Sequence, residues 1–198
     1  MEPGLLEKRD EQYVWPWMGV LVNVPTELKD GRRVGLSANR LKEQLSRFHP
    51  LKVNAVWNAR GHTGCAIIEF GKDLGGFTNA LAFENYFDRE GHGRSDWKVR
   101  TNQRSQFFGW VAREEDYRHP GPTGDHLRRN GDLRTLSDLE NERVRRAGKL
   151  VAHLANQVEV KDRHLHELKC KYDEIATSID KVVEAKEQVV QSYYQKSL

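Results

Sequence analysis

Cysteine is nearly absent from this chain of 198 residues: Cys65 and Cys170 are the whole supply, and they fall in different predicted elements. That excludes a disulfide-built secreted scaffold and fits a reduced, intracellular protein. No run of eighteen apolar residues occurs, which excludes a membrane-spanning helix, and Met1 to Gln12 is too charged to read as a secretory signal. An excess of one charge is missing too. Lys and Arg total 32 against 29 Asp and Glu, a net charge of +3, so any basic surface must come from local clustering. No Gly-rich phosphate loop, nucleophile elbow or zinc-ligand spacing is present. Asp73, Glu84 and Asp88 form no acid/base pair and read as caps and surface groups, and His164 with His166 lacks metal-ligand spacing on a helix. Catalysis is therefore not expected, nor is a cofactor or a metal.

What is present centres on Arg60 to Phe70, a Gly-punctuated loop running into an apolar strand. Glycines 61 and 64 allow a tight turn or a close approach. From Thr63 to Phe70 the frame loosely follows the RNA-recognition signature, but its two stacking aromatics are replaced by Cys65 and Ile67. Around this stretch the patterns alternate. Trp17 to Val24 reads as a buried strand, Lys29 to Gly35 as a basic loop, and Ser37 as the cap of a helix carrying Leu41, Leu45 and Phe48. Leu51 to Trp57 reads as a half-exposed strand, and Asp73 as the cap of a second helix with Phe77, Leu81, Tyr86 and Phe87 on its apolar side. A polar basic loop, Gly91 to Arg104, leads to a last strand at Phe107 to Val111. This order of strand, helix, strand, strand, helix, strand is the split βαβ arrangement of ferredoxin-like and RNA-recognition domains, an α+β class.

Tyr117 to Gly124, with Pro120, Gly121 and Pro122, reads as a non-helical turn, His126 to Gly131 as a short basic helix, and Ser137 with Glu140 as a capping box. A heptad repeat then begins. One seam position holds Val144, Val151, Val158, Leu165, Tyr172, Ile179, Lys186 and Tyr193. The other holds Ala147, Leu154, Lys161, Leu168, Ile175, Val182 and Val189. Only Lys161 and Lys186 break it, so the segment predicts a coiled-coil rod of roughly 75 Å. Such a seam needs a partner helix, and β-branched residues at the first position favour two parallel strands. The expected dimerisation residues are Val144, Val151, Leu154, Val158, Leu165, Leu168, Tyr172, Ile175, Ile179, Val182 and Val189.

Several blocks resemble the XS domain: Trp15-Pro16-Trp17-Met18-Gly19-Val20, Asn39-Arg40-Leu41-Lys42, Gly61-His62-Thr63-Gly64, Ala82-Phe83-Glu84 and Glu69-Phe70-Gly71-Lys72. Phe108-Gly109-Trp110-Val111-Ala112 and Gly131-Asp132-Leu133 add to them. XS domains belong to plant RNA-silencing proteins, those of the suppressor-of-gene-silencing type and the involved-in-de-novo type of RNA-directed DNA methylation. The resemblance divides the chain into a polar arm at 1–12, an XS domain at 13–133 and a coiled coil at 134–198. It implies binding of double-stranded RNA with 5′ overhangs, homodimers or heterodimers with paralogues, no membrane, and a nuclear location with the cytoplasm as alternative. Family members usually carry an upstream zinc finger and a downstream XH domain, so the sequence reads as a portion of a longer protein.

The sheet positions that would face RNA are Val20, Thr63, Cys65 and Ile67; none is aromatic, so ordinary two-base stacking is not expected and that face reads as structural, covered by the segment after Val111. The expected RNA contacts therefore lie in loops and at strand ends. These are Lys52, Arg60, His62 and Lys72 around the central strand, and Arg94, Lys98, Arg100 and Arg104 around Trp97, where the cations meet one acid, Asp96. Trp97 is expected to take a terminal base, while Trp15, Trp17, Trp57 and Trp110 read as core or rim. The basic group Arg143, Arg145, Arg146 and Lys149 reads as a solvated face of the rod. A rival reading is a scaffold whose XS domain binds protein rather than RNA.

Overall fold

The computed structural model describes residues 10–99 and 106–198. In chain order, β1 (Gln12–Trp15) leads into β2 (Trp17–Val22), and a hairpin of β3 (Thr26–Lys29) and β4 (Arg32–Gly35) precedes α1 (Ala38–Gln44). After a 3-10 turn at Ser46–Phe48 come β5 (Lys52–Asn58), β6 (Gly61–Gly71) and α2 (Leu74–Arg89). Then follow α3 (Arg94–Val99), β7 (Phe108–Val111), α4 (Glu114–Arg118), α5 (Pro122–Asn130), β8 (Asp132–Thr135) and α6 (Leu136–Lys196). The class is mixed α+β. The chain divides into two units, Met1–Glu140 and Asn141–Leu198.

In the first unit β6 is the centre of the sheet. It pairs antiparallel with β5 on one side and β2 on the other, and β2 pairs antiparallel with β7, giving the order β5–β6–β2–β7. Side chains alternate across this sheet, and both faces are covered. Trp17, Leu21, Ala66, Ile68 and Phe70 pack with Leu41 of α1 and with Ala80, Phe83 and Phe87 of α2. Met18, Val20, Val22, Val56, Ile67, Phe108 and Trp110 form a second core on the opposite face with Val14 of β1 and Leu127 of α5. β2 is consequently buried at every residue. Val20 and Ile67, two of the positions an RNA-binding sheet would expose, are sealed under the segment that follows Val111.

Local signals explain most boundaries. The Ser37 hydroxyl accepts from the Arg40 N–H, and the Asp73 carboxylate accepts from the Gly76 N–H at 2.8 Å, so α1 and α2 start where their caps stand. Four expectations are corrected. The basic loop at 29–35 is part of the β3–β4 hairpin, turned by Asp30 and Gly31, both with positive φ (50° and 76°). In the loop expected at 91–104, residues 94–99 form α3. The Pro/Gly-rich stretch turns helical at Pro122, which takes the first position of α5, where its missing N–H costs nothing. The cap of α6 lies two residues upstream of Ser137. The Asp138 N–H donates to the Thr135 hydroxyl at 3.0 Å and the Thr135 N–H donates to the Asp138 carboxylate at 3.1 Å, a reciprocal capping box.

The second unit is a single helix, the continuation of α6 to Lys196. Among the described residues no helix is long and apolar enough to cross a membrane.

Candidate nucleic-acid interface

The expected RNA contacts do not converge on one place. β6 is eleven residues long, roughly 35 Å at strand spacing. Lys52 and Lys72 stand toward one end of the β5–β6 ribbon, and Arg60 and His62 stand at the other. Lys52 is exposed and registers with Glu69, whose carboxylate also accepts from the Asn54 side chain at 2.8 Å. The Lys72 ammonium lies 5.7 Å from the centroid of the Trp15 ring. Arg100 and Arg104 lie outside the described residues.

The group on α3 is not the uncompensated cluster that its local sequence suggests. α4 brings Glu115 and Asp116 against it. The Arg94 guanidinium pairs with Glu115 at 2.9 Å and Asp116 at 3.5 Å, and the Lys98 ammonium pairs with Glu115 at 2.9 Å. The hydrogen bond from Lys98, with the charge of Arg94, holds the Glu115 carboxyl below the usual carboxylate range. Trp97 is 40% exposed, and its ring centroid lies 5.2 Å from that of the buried Phe108. It is a rim residue leaning on the second core.

The other end of the β5–β6 ribbon is built differently. The β3–β4 hairpin is joined there by one parallel bridge, Arg33 to Gly61, with the Arg33 N–H donating to the Arg60 carbonyl at 3.0 Å. Gly61 has φ of +110°, and a Cβ on it would come within 2.3 Å of the Arg33 carbonyl oxygen. The β4 backbone is therefore what makes the close approach that the glycine permits. The Arg60 N–H also donates to the Asn58 side chain at 2.8 Å, fixing the turn. Arg32, Arg33 and Arg60 are exposed, and none of the three has an ion pair among the described residues; Lys29 pairs with Glu27 at 3.9 Å.

His62, expected at the surface, is instead fully buried in this end of the sheet. Its Nδ1 accepts from the Gly64 N–H at 2.9 Å, and its ring lies so close to Gly35 that a Cβ there would stand 2.8 Å from it. Burial pushes its pKa down, favouring the neutral imidazole, and the ring presents no exposed surface for a phosphate to meet. Above it sits Trp57, paired with His62 across the ladder, with ring centroids 5.2 Å apart. Trp57 is 56% exposed, where the sequence reading placed it in the core or its rim.

Sequence reasoning also missed a half-buried polar network. Arg113 donates through Nη1 and Nη2 to the two oxygens of Glu84, through Nε to Glu11 at 2.5 Å, and through Nη1 to the Val111 carbonyl at 2.9 Å. Its guanidinium also lies 5.1 Å from the Tyr13 ring centroid, and Glu84 further accepts from the Val111 N–H at 3.2 Å. Burial, reinforced by Glu11, pushes the Tyr13 hydroxyl up to about 12. Glu84 is thus a clamp between α2, β7 and the start of β1, not a surface group. The available signal was its place one turn after Ala80 on the inward side of α2.

In the second unit the expected seam is solvent-facing in the single chain. From Val144 to Val189, the eleven residues expected to dimerise lie between 49% (Leu168) and 72% (Tyr172) exposed. An apolar stripe of that length is far beyond scattered surface hydrophobics.

The XS domain family model matches residues 10–119, more than half of the chain. The protein INVOLVED IN DE NOVO 2 of Arabidopsis thaliana is 39% identical over 162 residues, covering 80% of this chain and 25% of that protein. Factor of DNA methylation 3 of the same plant is 37% identical over 187 residues, covering 92% of this chain and 29% of its own length. A SUPPRESSOR OF GENE SILENCING 3 homolog of Zea mays is 25% identical over 119 residues, 57% of this chain and 20% of that protein. The chain thus spans about a quarter of the length of the curated relatives it matches. With the model match beginning at β1 and running to the end of α4, the chain belongs to the XS domain family.

Proposed function

We propose that the chain is a non-enzymatic module that binds double-stranded RNA with a 5′ overhang and self-associates through α6, acting in RNA-directed DNA methylation or gene silencing in the nucleus. The observation that carries the RNA reading is the hairpin end of the sheet, where Arg32, Arg33 and Arg60 stand exposed with no carboxylate partner among the described residues. Phosphates are the natural counter-charge for such a group. The order β5–β6–β2–β7, with α1 and α2 on one face, supports an RNA-recognition-like ancestry for the domain. The second core on the opposite face argues for recognition at the sheet's end in place of base stacking on its surface. That same closed face favours the rival reading, a scaffold whose XS domain binds protein.

For α6, the exposed seam supports a parallel two-stranded coiled coil. Lys161 and Lys186 would each face their own copy and so weaken two layers of a homodimer that the apolar layers still hold, while a paralogue with acidic residues at those layers would pair more tightly. Anisotropy with overhang RNA at rising salt, beside sedimentation of the full chain and a Leu154→Glu/Leu168→Glu/Ile175→Glu variant, tests both halves. The expected result is steeply salt-dependent binding by both chains, a dimer for the parent and a monomer for the variant. Absence of RNA binding at low salt decides for the scaffold, and equal masses overturn the coiled coil.

A further inference from the structure

We infer that Trp57 is the stacking platform for an unpaired nucleotide at the RNA end, with Arg33 and Arg60 holding the phosphates beside it. This rests on the RNA-binding reading and names the site through which it operates. Tryptophan carries the largest apolar surface of any side chain, and Trp17 and Trp110 of this domain are buried accordingly. Trp57 is instead the most exposed of the tryptophans, at 56% against 40% for Trp97, and stands near the end of β5, a strand paired on one side only, by β6. Its ring is nonetheless supported. His62 beneath it is fully buried, pinned by the Gly64 N–H and pressed against Gly35, so the indole stands on a rigid base. A pre-positioned aromatic loses little freedom when a base stacks on it.

The cations are placed for the same ligand. Arg60 follows Trp57 by three residues in the β5–β6 turn, and the main chain of Arg33 is hydrogen-bonded to that of Arg60. Indole, turn and hairpin are thus one construction, held by the Gly61 contact. A flat aromatic three residues before Arg60, with Arg33 tied to that turn and neither guanidinium ion-paired among the described residues, matches a single-stranded nucleotide, which offers a base face and a phosphate together. Within a duplex the bases are stacked on each other, so apart from the face of its terminal pair it offers the phosphates alone. Trp97 fits this role less well, since it leans on Phe108 and its neighbouring cations are held by Glu115 and Asp116.

The test compares Trp57→Ala, Trp57→Phe, Trp57→Leu and Trp97→Ala in the full chain, against RNA duplexes with a 5′ overhang and blunt duplexes of equal length. Trp57→Ala is expected to weaken overhang RNA by roughly 5- to 100-fold while leaving blunt duplex within about two-fold and the salt slope unchanged. Trp57→Phe is expected to recover more than Trp57→Leu, because a ring stacks where an aliphatic group of similar bulk does not; this ordering also reads the site should the alanine variant fold poorly. Trp97→Ala is expected to lower the melting temperature without changing the preference for overhangs. The platform is overturned if Trp57→Ala binds overhang RNA as the parent does, weakens both RNAs equally, or leaves Phe and Leu indistinguishable. A parent chain that binds no RNA overturns the RNA-binding reading itself.

Discussion

Gly61 shows how one residue fixes the position of a functional element. Its φ of +110° costs an L side chain strain, and the space a Cβ needs is already held by the Arg33 carbonyl 2.3 Å away. Gly31, in the hairpin turn, shares the positive φ but has nothing within 4 Å. The two substitutions separate strain from collision. Gly31→Ala is expected to cost about 1 kcal/mol from backbone strain alone. Gly61→Ala is expected to cost about 3 kcal/mol or more, because β4 must also move away from β6. Chemical denaturation of the two variants measures the difference, and equal losses would show that the Arg33 contact does not constrain the hairpin.

At the scale of elements, the caps and the apolar periods carry the fold. Thr135 is the residue from which α6 is launched, through its reciprocal bonds with Asp138, and Leu136 and Leu139 of the first helical turn pack against the first core. Thr135→Ala is therefore expected to destabilise the domain by about 1 kcal/mol, while Ser137→Ala, already inside the helix, is expected to be nearly neutral. Thermal melts decide between them; the reverse ranking would restore Ser137 as the cap. α1 and α2 were legible because their apolar residues recur at helical spacing, and β2 and β6 because each carries a short apolar run that suits a strand buried on both faces. The β3–β4 hairpin was not, since its residues are almost all exposed and leave no alternation to read. The second half of α5 was legible from His126 on, while its first turn hid behind Pro120, Gly121, Pro122 and Gly124, which announce a turn but also suit the start of a helix. The candidate site was half legible. Arg60 belonged to the expected set. The carboxylate shared by Arg94 and Lys98 is that of Glu115, 21 and 17 positions away from them, a pairing only the packing of α4 creates. Trp57, in an alternating strand, carries the same local signature as a buried tryptophan, and only the edge position of β5 exposes it.

For the whole molecule, the proposed function couples RNA recognition at the hairpin end of the XS domain's sheet to pairing of two copies through α6. On that proposal, pairing through α6 would raise the local concentration of the second domain once the first has bound, so a moderate single-site affinity would suffice. The central claim is where the RNA sits, and the salt dependence of binding reads it directly. An Arg32→Gln/Arg33→Gln/Arg60→Gln variant, titrated with overhang RNA across a range of salt, is compared with an Arg94→Gln/Lys98→Gln variant and the parent. If the hairpin end holds the phosphates, the triple variant loses affinity for blunt and overhang RNA alike and its log–log salt slope falls by about 2 to 3, while the α3 variant stays near the parent. A triple variant with the parent's affinity and slope, beside an α3 variant that loses both, would contradict the account and return the site to Trp97.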